Sequence, residues 1–240
     1  MTERLTLCNA LAKPADSAIS NHRDSKPKEP MKIDRDHIFI DLETTGLDPS
    51  TGDIIEVAAI RTDNVGNLIA TYSDKITPKV PVTIEASRVN GYTEEKWAQA
   101  VSIEAAIASM TASILTGRDA KFVVVAHFAD FDKAYLKSVC ARYHLPLPFN
   151  GSQWICTGQL AWPLYYSGVI KSRSLAALCK LFGTENIAPH TAMGDVSATH
   201  EIYWKMMQRM VPATVAANAI DNSPYGGVFN DLTKIAARFF

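Results

Sequence analysis

The stretch HIFIDLETTG, residues 37–46, starts as an apolar run and ends in two carboxylates followed by a tight turn. Its β-branched and aromatic residues favour a buried strand, on which successive side chains point to opposite faces. Asp41 and Glu43 therefore share one face with Phe39, and the aliphatic residues between them lie on the other. Two acids on one face at the end of a buried strand repel each other unless a cation lies between them.

A hard divalent cation is the simplest ligand for such a pair of acids, because oxygen atoms are its preferred partners. The turn supports this interpretation, since Gly46 removes side-chain bulk where a ligand would approach. The alternative is a strand that runs out into solvent and leaves two exposed acids. Residues 37–46 alone do not decide between the two, so the decision depends on the rest of the chain.

Length, composition and charge limit the class of protein. The chain has 240 residues, of which 47% are hydrophobic, as is typical of one sizeable globular domain with tails. A formal net charge of -1 excludes a general polycation, so any contact with nucleic acid would be local or carried by metal ions. Four scattered cysteines indicate reduced thiols rather than a disulfide framework or a zinc site. The sequence has no apolar run long enough for a membrane span or a signal peptide, so we expect a cytoplasmic protein.

Composition divides the chain into three parts. Residues 1–33 are polar and contain several Pro and Lys, which predicts a disordered leader, with a partner-binding arm as the alternative. Residues 34–212 contain the periodic apolar patterns of a folded domain. Residues 213–240 predict a C-terminal extension, whose apolar end either packs back on the domain or binds a partner.

The order of strand and helix patterns predicts an α/β domain with a mixed sheet. Three strands with short connections predict an antiparallel meander, and two further strands alternate with helices. The predicted strands cover about 38–43, 54–60, 68–76, 122–126 and 154–157. The predicted helices cover about 102–116, 131–143, 160–164, 174–182 and 192–210, and a long connection is expected over 78–93.

Two more segments carry acids at the starts of predicted helices. Asp132 lies in the first turn after the fourth strand, where an acid also simply complements the helix dipole. His190 and Asp195 lie at the start of the last helix, and taken alone a loop histidine and a helix aspartate are more simply explained as structural or solvated. None of these positions indicates chemistry by itself.

Together the three segments resemble, in order, the motifs of the DnaQ-like family of 3'-5' exonucleases, in its histidine-containing (DEDDh) branch. The matching stretches are DLETTG at 41–46, HFADFD at 127–132 and HTAMGD at 190–195. The resemblance covers about residues 36–210 and implies a ribonuclease H-like fold, a mixed five-stranded sheet flanked by helices. Residues 154–161 and 174–179 also look like this family, particularly exodeoxyribonuclease X, although that match is looser.

The resemblance implies hydrolysis of phosphodiester bonds with two metal ions, Mg²⁺ or Mn²⁺. Asp41 would bridge both ions, and Glu43 and Asp195 would complete the site of the ion next to the attacking water. Asp132 would support the second ion. His190 would be the general base, because an imidazole changes its charge near neutral pH.

The resemblance also implies substrate contacts in the turn after the first strand. Thr44 and Thr45 would hold the terminal nucleotide, and Leu47 would wedge against its base. The alternative for Leu47 is a turn residue that packs on its own hairpin. These three residues are therefore predicted substrate-binding residues.

One position departs from the family pattern. Many members of the family have a polar residue, often Asn, where this chain has Phe128. Phe128 either stacks on a base, as a predicted substrate-binding residue, or is buried. Lys171 and Arg173 either contact phosphates or belong to a solvated surface.

The sequence thus predicts a metal-dependent 3'-5' exonuclease that acts on the 3' end of DNA and releases nucleoside 5'-monophosphates. The alternatives are an exoribonuclease or oligoribonuclease, and a polymerase-associated proofreading module. A polymerase or DNA-repair partner and a homo-oligomer are both compatible with the sequence, and a membrane partner is not expected.

Overall fold

The computed structural model describes residues 35–116 and 121–220, the last ten of them by their backbone alone. The predicted leader lies outside the described residues, and so do residues 221–240 of the predicted C-terminal extension. The boundaries of the three predicted parts therefore stay predictions.

Five strands form one mixed sheet. They are β1 (Asp36–Thr44), β2 (Ile54–Thr62), β3 (Leu68–Lys75), β4 (Phe122–Ala126) and β5 (Trp154–Cys156). Their order across the sheet is β3-β2-β1-β4-β5, in which β1 to β3 are antiparallel and β4 and β5 run parallel to β1. The predicted five-stranded α/β arrangement is confirmed.

Helices cover both faces of the sheet. The described helices are α1 (Ile84–Asn90), α2 (Ile103–Ile114), α3 (Asp130–Arg142), α4 (Thr157–Leu160), α5 (Trp162–Tyr166), α6 (Leu175–Phe182) and α7 (Ala192–Ile220). The buried residues of α2 and α3 share one core cluster with one face of the sheet, and α7 covers the other face. Within the described ranges, no helix has both the length and the apolar character needed to cross a membrane.

The alternation of side chains along β1 places the two acids. Ile38 and Ile40 are fully buried in the core cluster under α2 and α3. Phe39 points the other way and contacts Tyr203 of α7, with a distance of 5.4 Å between ring centroids. Because Asp41 has the same parity as Phe39, it emerges on the α7 face, as the sequence predicts.

The connection predicted over 78–93 contains a short helix, α1, so that prediction is wrong. The Thr83 side chain caps the N-terminus of α1, and Gly91 ends the helix in the left-handed conformation, with φ of 67°. A helix of seven residues depends on tertiary contacts for its stability. One such contact is the hydrogen bond from Asn90 Nδ2 to the backbone oxygen of Thr44, at 3.2 Å, which joins α1 to the end of β1.

The predicted end of the last helix, near residue 210, is also wrong. The helix α7 continues through Pro212 to Ile220. Pro212 lacks one backbone donor, which argues for a stop. The segment 213–220 has the sequence ATVAANAI, and its alanines have the highest helix propensity of all residues, so the helix continues.

Candidate active site

Two elements bring three carboxylates together. Asp41 and Glu43 come from the end of β1, and Asp195 comes from the first turn of α7. One carboxylate oxygen from each residue lies within 4.8 Å of the others. Three oxygen donors at this spacing suit a hard divalent cation, so this group, which we call the acidic centre, fits a metal ion.

The start of α7 is shaped so that Asp195 reaches the acidic centre. The hydroxyl of Thr191 accepts a hydrogen bond from the backbone nitrogen of Gly194, at 3.1 Å, as an N-cap residue does. A Cβ at Gly194 would lie 2.0 Å from the carbonyl oxygen of Ala188, so only glycine allows this close approach. Asn186 Nδ2 then donates to Asp195 Oδ1 at 2.6 Å and fixes the carboxylate.

Glu56 is a fourth acid beside the centre, and the sequence motifs do not include it. It pairs with Glu43 across the β1–β2 ladder and is buried. Burial raises its pKa most, the positive charge of Lys75 opposes this, and the backbone N–H of Ala192 also lowers the pKa. Because Ala192 is the first residue of α7, Glu56 links β2 to the helix that carries Asp195.

Burial and mutual repulsion raise the pKa values of Asp41 and Glu43, the two acids that β1 contributes to the centre. The pKa of Asp41 is raised well above its ordinary value, chiefly by burial and then by the charges of Asp132 and Asp195. The pKa of Glu43 rises to about 7, again chiefly by burial and then by Asp195 and Glu56. The clustered charges are therefore unfavourable without a compensating cation, as the sequence predicts for a metal site.

Asp132 is close to the acidic centre but does not belong to it. It lies in the first turn of α3, is 3% exposed, and is not among the three residues whose oxygens lie within 4.8 Å. Burial raises its pKa, and the backbone N–H of Leu42 opposes the shift. Its predicted support of a second ion stays a prediction.

Two histidines of the sequence motifs have contrasting environments. His190 is exposed on the loop before α7, has a left-handed backbone with φ of 61°, and makes no ring hydrogen bond to a described residue. His127 is largely enclosed, its Nδ1 lies 2.9 Å from Thr157 Oγ1, and burial lowers its pKa to about 4, helped by the charge of Arg173. Of the two, only His190 presents its ring to solvent.

Hydrogen bonds to buried groups stabilise the turn after β1. Thr44 Oγ1 donates to the carbonyl oxygen of Gly46 at 2.7 Å, and the hydroxyl of Tyr135 donates to the same oxygen at 2.6 Å. The backbone nitrogen of Asp53 donates to Thr45 Oγ1 at 2.9 Å. Both threonine side chains are buried, so they fix the shape of the turn beside the acids.

A pocket of about 260 Å³ opens beside Glu43 at the end of β1. The turn, α1 and Phe131 of α3 form its walls. Leu47 lines this pocket and is 88% exposed, so it does not pack on its own hairpin. Phe128 is 44% exposed, so the alternative that it is buried is wrong as well.

Residues 38–203 match the model of the family RNase_T, described as exonuclease. The chain belongs to the exonuclease family. The match includes all three motif segments, so the exonuclease domain carries the acidic centre within the matched region.

The exonuclease domain is similar to two bacterial proteins that are named as DNA polymerase III components. It is 31% identical over 176 residues to the DNA polymerase III PolC-type of Halalkalibacterium halodurans, across 73% of this chain and 12% of that protein. It is 25% identical over 178 residues to the DNA polymerase III subunit epsilon of Aquifex aeolicus, across 74% of this chain and 83% of that protein. The chain therefore spans 12% of the length of the PolC-type relatives that it matches.

The fold is shared with a solved nuclease. A crystal structure of E. coli Exonuclease I in complex with a dT13 oligonucleotide matches with a TM-score of 0.64 and 22% identity, across 76% of this chain and 43% of that one. At this identity the likeness concerns the fold alone. The predicted ribonuclease H-like fold is confirmed.

The raised pKa values predict how pH changes the stability of the exonuclease domain in EDTA. Acids whose pKa is higher in the folded state bind protons more tightly there. Their contribution to the free energy of unfolding is therefore complete below the pKa of the unfolded state, about 4. It is lost as the pH rises through the folded value, which for Glu43 is about 7. We therefore expect the melting temperature in EDTA to fall between pH 5 and pH 7.5.

Added Mn²⁺ is expected to reverse that loss, because a bound cation replaces the lost protons. At about 100 times its dissociation constant it would add about 2.7 kcal/mol, or roughly 5 to 10 °C for a domain of this size, at pH 7.5. The shift at pH 5 should be much smaller. The double variant Asp41→Asn with Glu43→Gln should lose both effects, and an equal Mn²⁺ shift in this variant would contradict the metal site.

Proposed function

We propose that the domain is a divalent-metal-dependent 3'-5' exonuclease that removes nucleotides from the 3' end of DNA. The observation that carries the proposal is the acidic centre itself, three carboxylate oxygens within 4.8 Å beside a pocket of about 260 Å³. The pocket would take the terminal nucleoside, with Thr44 in its wall, Thr45 holding the turn beside it, and Leu47 against the base. The scissile phosphate would then lie over the acids.

In the proposed reaction a water oxygen attacks phosphorus while the ring nitrogen of His190 takes the proton of that water. The bond between phosphorus and the 3' oxygen of the preceding nucleotide breaks, and this oxygen takes up a proton from solvent. The products are a nucleoside 5'-monophosphate and a strand shortened by one nucleotide. Mg²⁺ or Mn²⁺ ions, two in our proposal, would be held by Asp41, Glu43, Asp195 and Asp132. They would supply positive charge against the developing charge on the phosphate oxygens.

Several finer assignments belong to the same proposal. An exposed His190 five residues before Asp195 supports the histidine-containing branch of the family, and the likeness to exodeoxyribonuclease X stays a prediction. DNA rather than RNA is proposed because the relatives reported above are named as parts of DNA polymerase III. Action in the cytoplasm on replicating or damaged DNA stays a prediction.

The proposal is tested with DNA and RNA strands of equal sequence, labelled at the 5' end and incubated with the pure protein. With Mg²⁺ the DNA label should shift through a ladder of products shortened one nucleotide at a time, and the released product should be the nucleoside 5'-monophosphate. A DNA strand blocked by a 3'-phosphate should be degraded much more slowly. Internal fragments as first products, or faster degradation of RNA, would contradict the proposal.

Association with a replicative polymerase is a second proposal, favoured by the names of the matched relatives. A proofreading domain would meet its 3' ends on the polymerase rather than free in solution. Size-exclusion chromatography of the full chain with a purified DNA polymerase III core tests this directly. Separate elution at micromolar concentrations would contradict a stable association.

A further inference from the structure

An aromatic and cationic stack joins α5 to the turn after β4 and to the segment before α6. The rings of Tyr166 and Trp162 are stacked, with centroids 4.9 Å apart and planes inclined by 18°. The guanidinium carbon of Arg173 lies 3.6 Å from the centroid of the Trp162 ring and 5.7 Å from that of Phe128. We call these four residues the aromatic column.

The column is at the same edge of the sheet as the acids. Phe128 follows the end of β4, and Trp162 follows β5 by six residues. Since β4 and β5 run parallel to β1, their carboxyl ends meet at the edge where β1 presents Asp41. Two strand spacings separate β1 from β5, on the order of 10 Å. This is the reach of one or two nucleotides of an extended strand.

The local backbone fixes Phe128 in the column. Its φ of 58° lies in the left-handed region, which is unfavourable for a phenylalanine. A Cβ at Gly158 would lie 2.8 Å from the Phe128 ring, so the ring occupies space that glycine leaves free at this position. Arg173 Nη1 donates to the carbonyl oxygen of the same Gly158 at 2.8 Å. Strain at an exposed aromatic residue indicates that the position of the ring matters.

The chemistry of the column suits an unpaired nucleic-acid strand. Tyr166 is 78% exposed and Phe128 is 44% exposed, so both ends of the stack offer ring surface to a base. Aromatic rings that are held by neighbouring side chains lose little conformational freedom when a base stacks on them. Stacking is possible with any of the four bases. The guanidinium of Arg173 has five N–H donors. One is used by Gly158, and the planar fork suits a phosphate.

We propose that the aromatic column binds the nucleotides of single-stranded DNA that precede the scissile bond. The inference rests on the proposed exonuclease function and extends it from the terminal nucleotide to the strand behind it. The occupant is an unpaired strand, because bases within a duplex already stack on each other and leave no face for Tyr166 or Phe128. Because the chain has an overall net charge of only -1, contact with DNA depends on local cations. Arg173 within the aromatic stack is such a cation.

Substrate length tests the proposal. The wild type, Tyr166→Ala and Arg173→Ala are compared on dT12 and on the dinucleotide dT2, which has a single nucleotide before the scissile bond and so meets at most the nearest part of the column. The loss of one stacked base corresponds to about 5- to 150-fold in affinity, so the KM for dT12 should rise at least about fivefold in each variant. The KM for dT2 should change much less, and a blunt duplex should show the smaller effect as well. Val65→Ala, which removes an exposed apolar residue from the β2–β3 turn, is the matched control and should not change either KM.

A binding measurement makes the test independent of turnover. In an Asp195→Asn background, the anisotropy of 5'-fluorescein-labelled dT12 should report at least fivefold weaker binding when Tyr166→Ala or Arg173→Ala is added. If the dissociation constant and the KM for dT12 are both unchanged in folded variants, the proposal that the column binds DNA is rejected. The same result is expected if the column binds a protein instead. Activity of the wild type with unaffected variants rejects the column alone, whereas an inactive wild type rejects the proposed function.

Discussion

Replacing Asp195 by asparagine is expected to abolish hydrolysis of DNA while leaving the fold intact. Asparagine has the same size, but it removes one of the three charges that lie within 4.8 Å of each other at the acidic centre. Compensation of charge by a metal ion contributes several kcal/mol to such a reaction, and each 1.36 kcal/mol corresponds to a factor of ten. We therefore expect the turnover number to fall by at least about 10³-fold with saturating Mg²⁺.

The stability of this variant should not fall with its activity. The charge of Asp195 raises the pKa values of both Asp41 and Glu43, so its removal relieves repulsion in the folded state. The melting temperature in EDTA at pH 7.5 should stay level or rise. Glu201→Gln is the matched control, because Glu201 lies on the same helix in a surface ion pair with Lys205. Activity above about 1% of wild type in Asp195→Asn would contradict the assigned role.

The sequence predicts the sheet and the positions of its acids because both depend on local patterns. The run 37–46 alternates in a way that fixes which face of β1 carries the acids, and the five predicted strands are all found. The short helix α1 could not be predicted in the same way. It is held by the hydrogen bond of Asn90 to the end of β1, and that contact exists only in the folded chain. The helix α7 continues beyond Pro212 because the helix propensity of several alanines exceeds the cost of one proline. No single residue in the sequence shows this result.

The neighbours of the acidic centre were predictable to different degrees. Glu56 interrupts the otherwise apolar run 54–60, and a buried acid in such a run is a usable signal. Its position opposite Glu43 depends on the register of β1 against β2, which is set only when the two strands pair. Asn186 gives no signal, because an asparagine in a loop is common and its hydrogen bond to Asp195 appears only when α7 docks.

Replacing His190 by glycine is expected to lower the turnover number by about 10²- to 10⁴-fold, the usual contribution of a positioned general base. Glycine is the informative substitution because the φ of His190 is 61°, a conformation that glycine adopts without strain and alanine does not. If the ring itself acts as the base, His190→Gly and His190→Ala should lose activity to a similar degree. If the loop shape matters instead, His190→Gly should retain far more activity than His190→Ala.

Added imidazole separates a base from a structural residue. The ring of His190 is exposed and makes no hydrogen bond to a described residue, so its removal opens a site that free imidazole can enter. Millimolar imidazole should restore part of the rate of His190→Gly and leave Asp195→Asn unchanged. A loss smaller than about threefold in His190→Gly would reject His190 as the base. His127 could not replace it as the structure stands, because burial lowers its pKa to about 4 and its Nδ1 lies against Thr157, so another proton acceptor would be required.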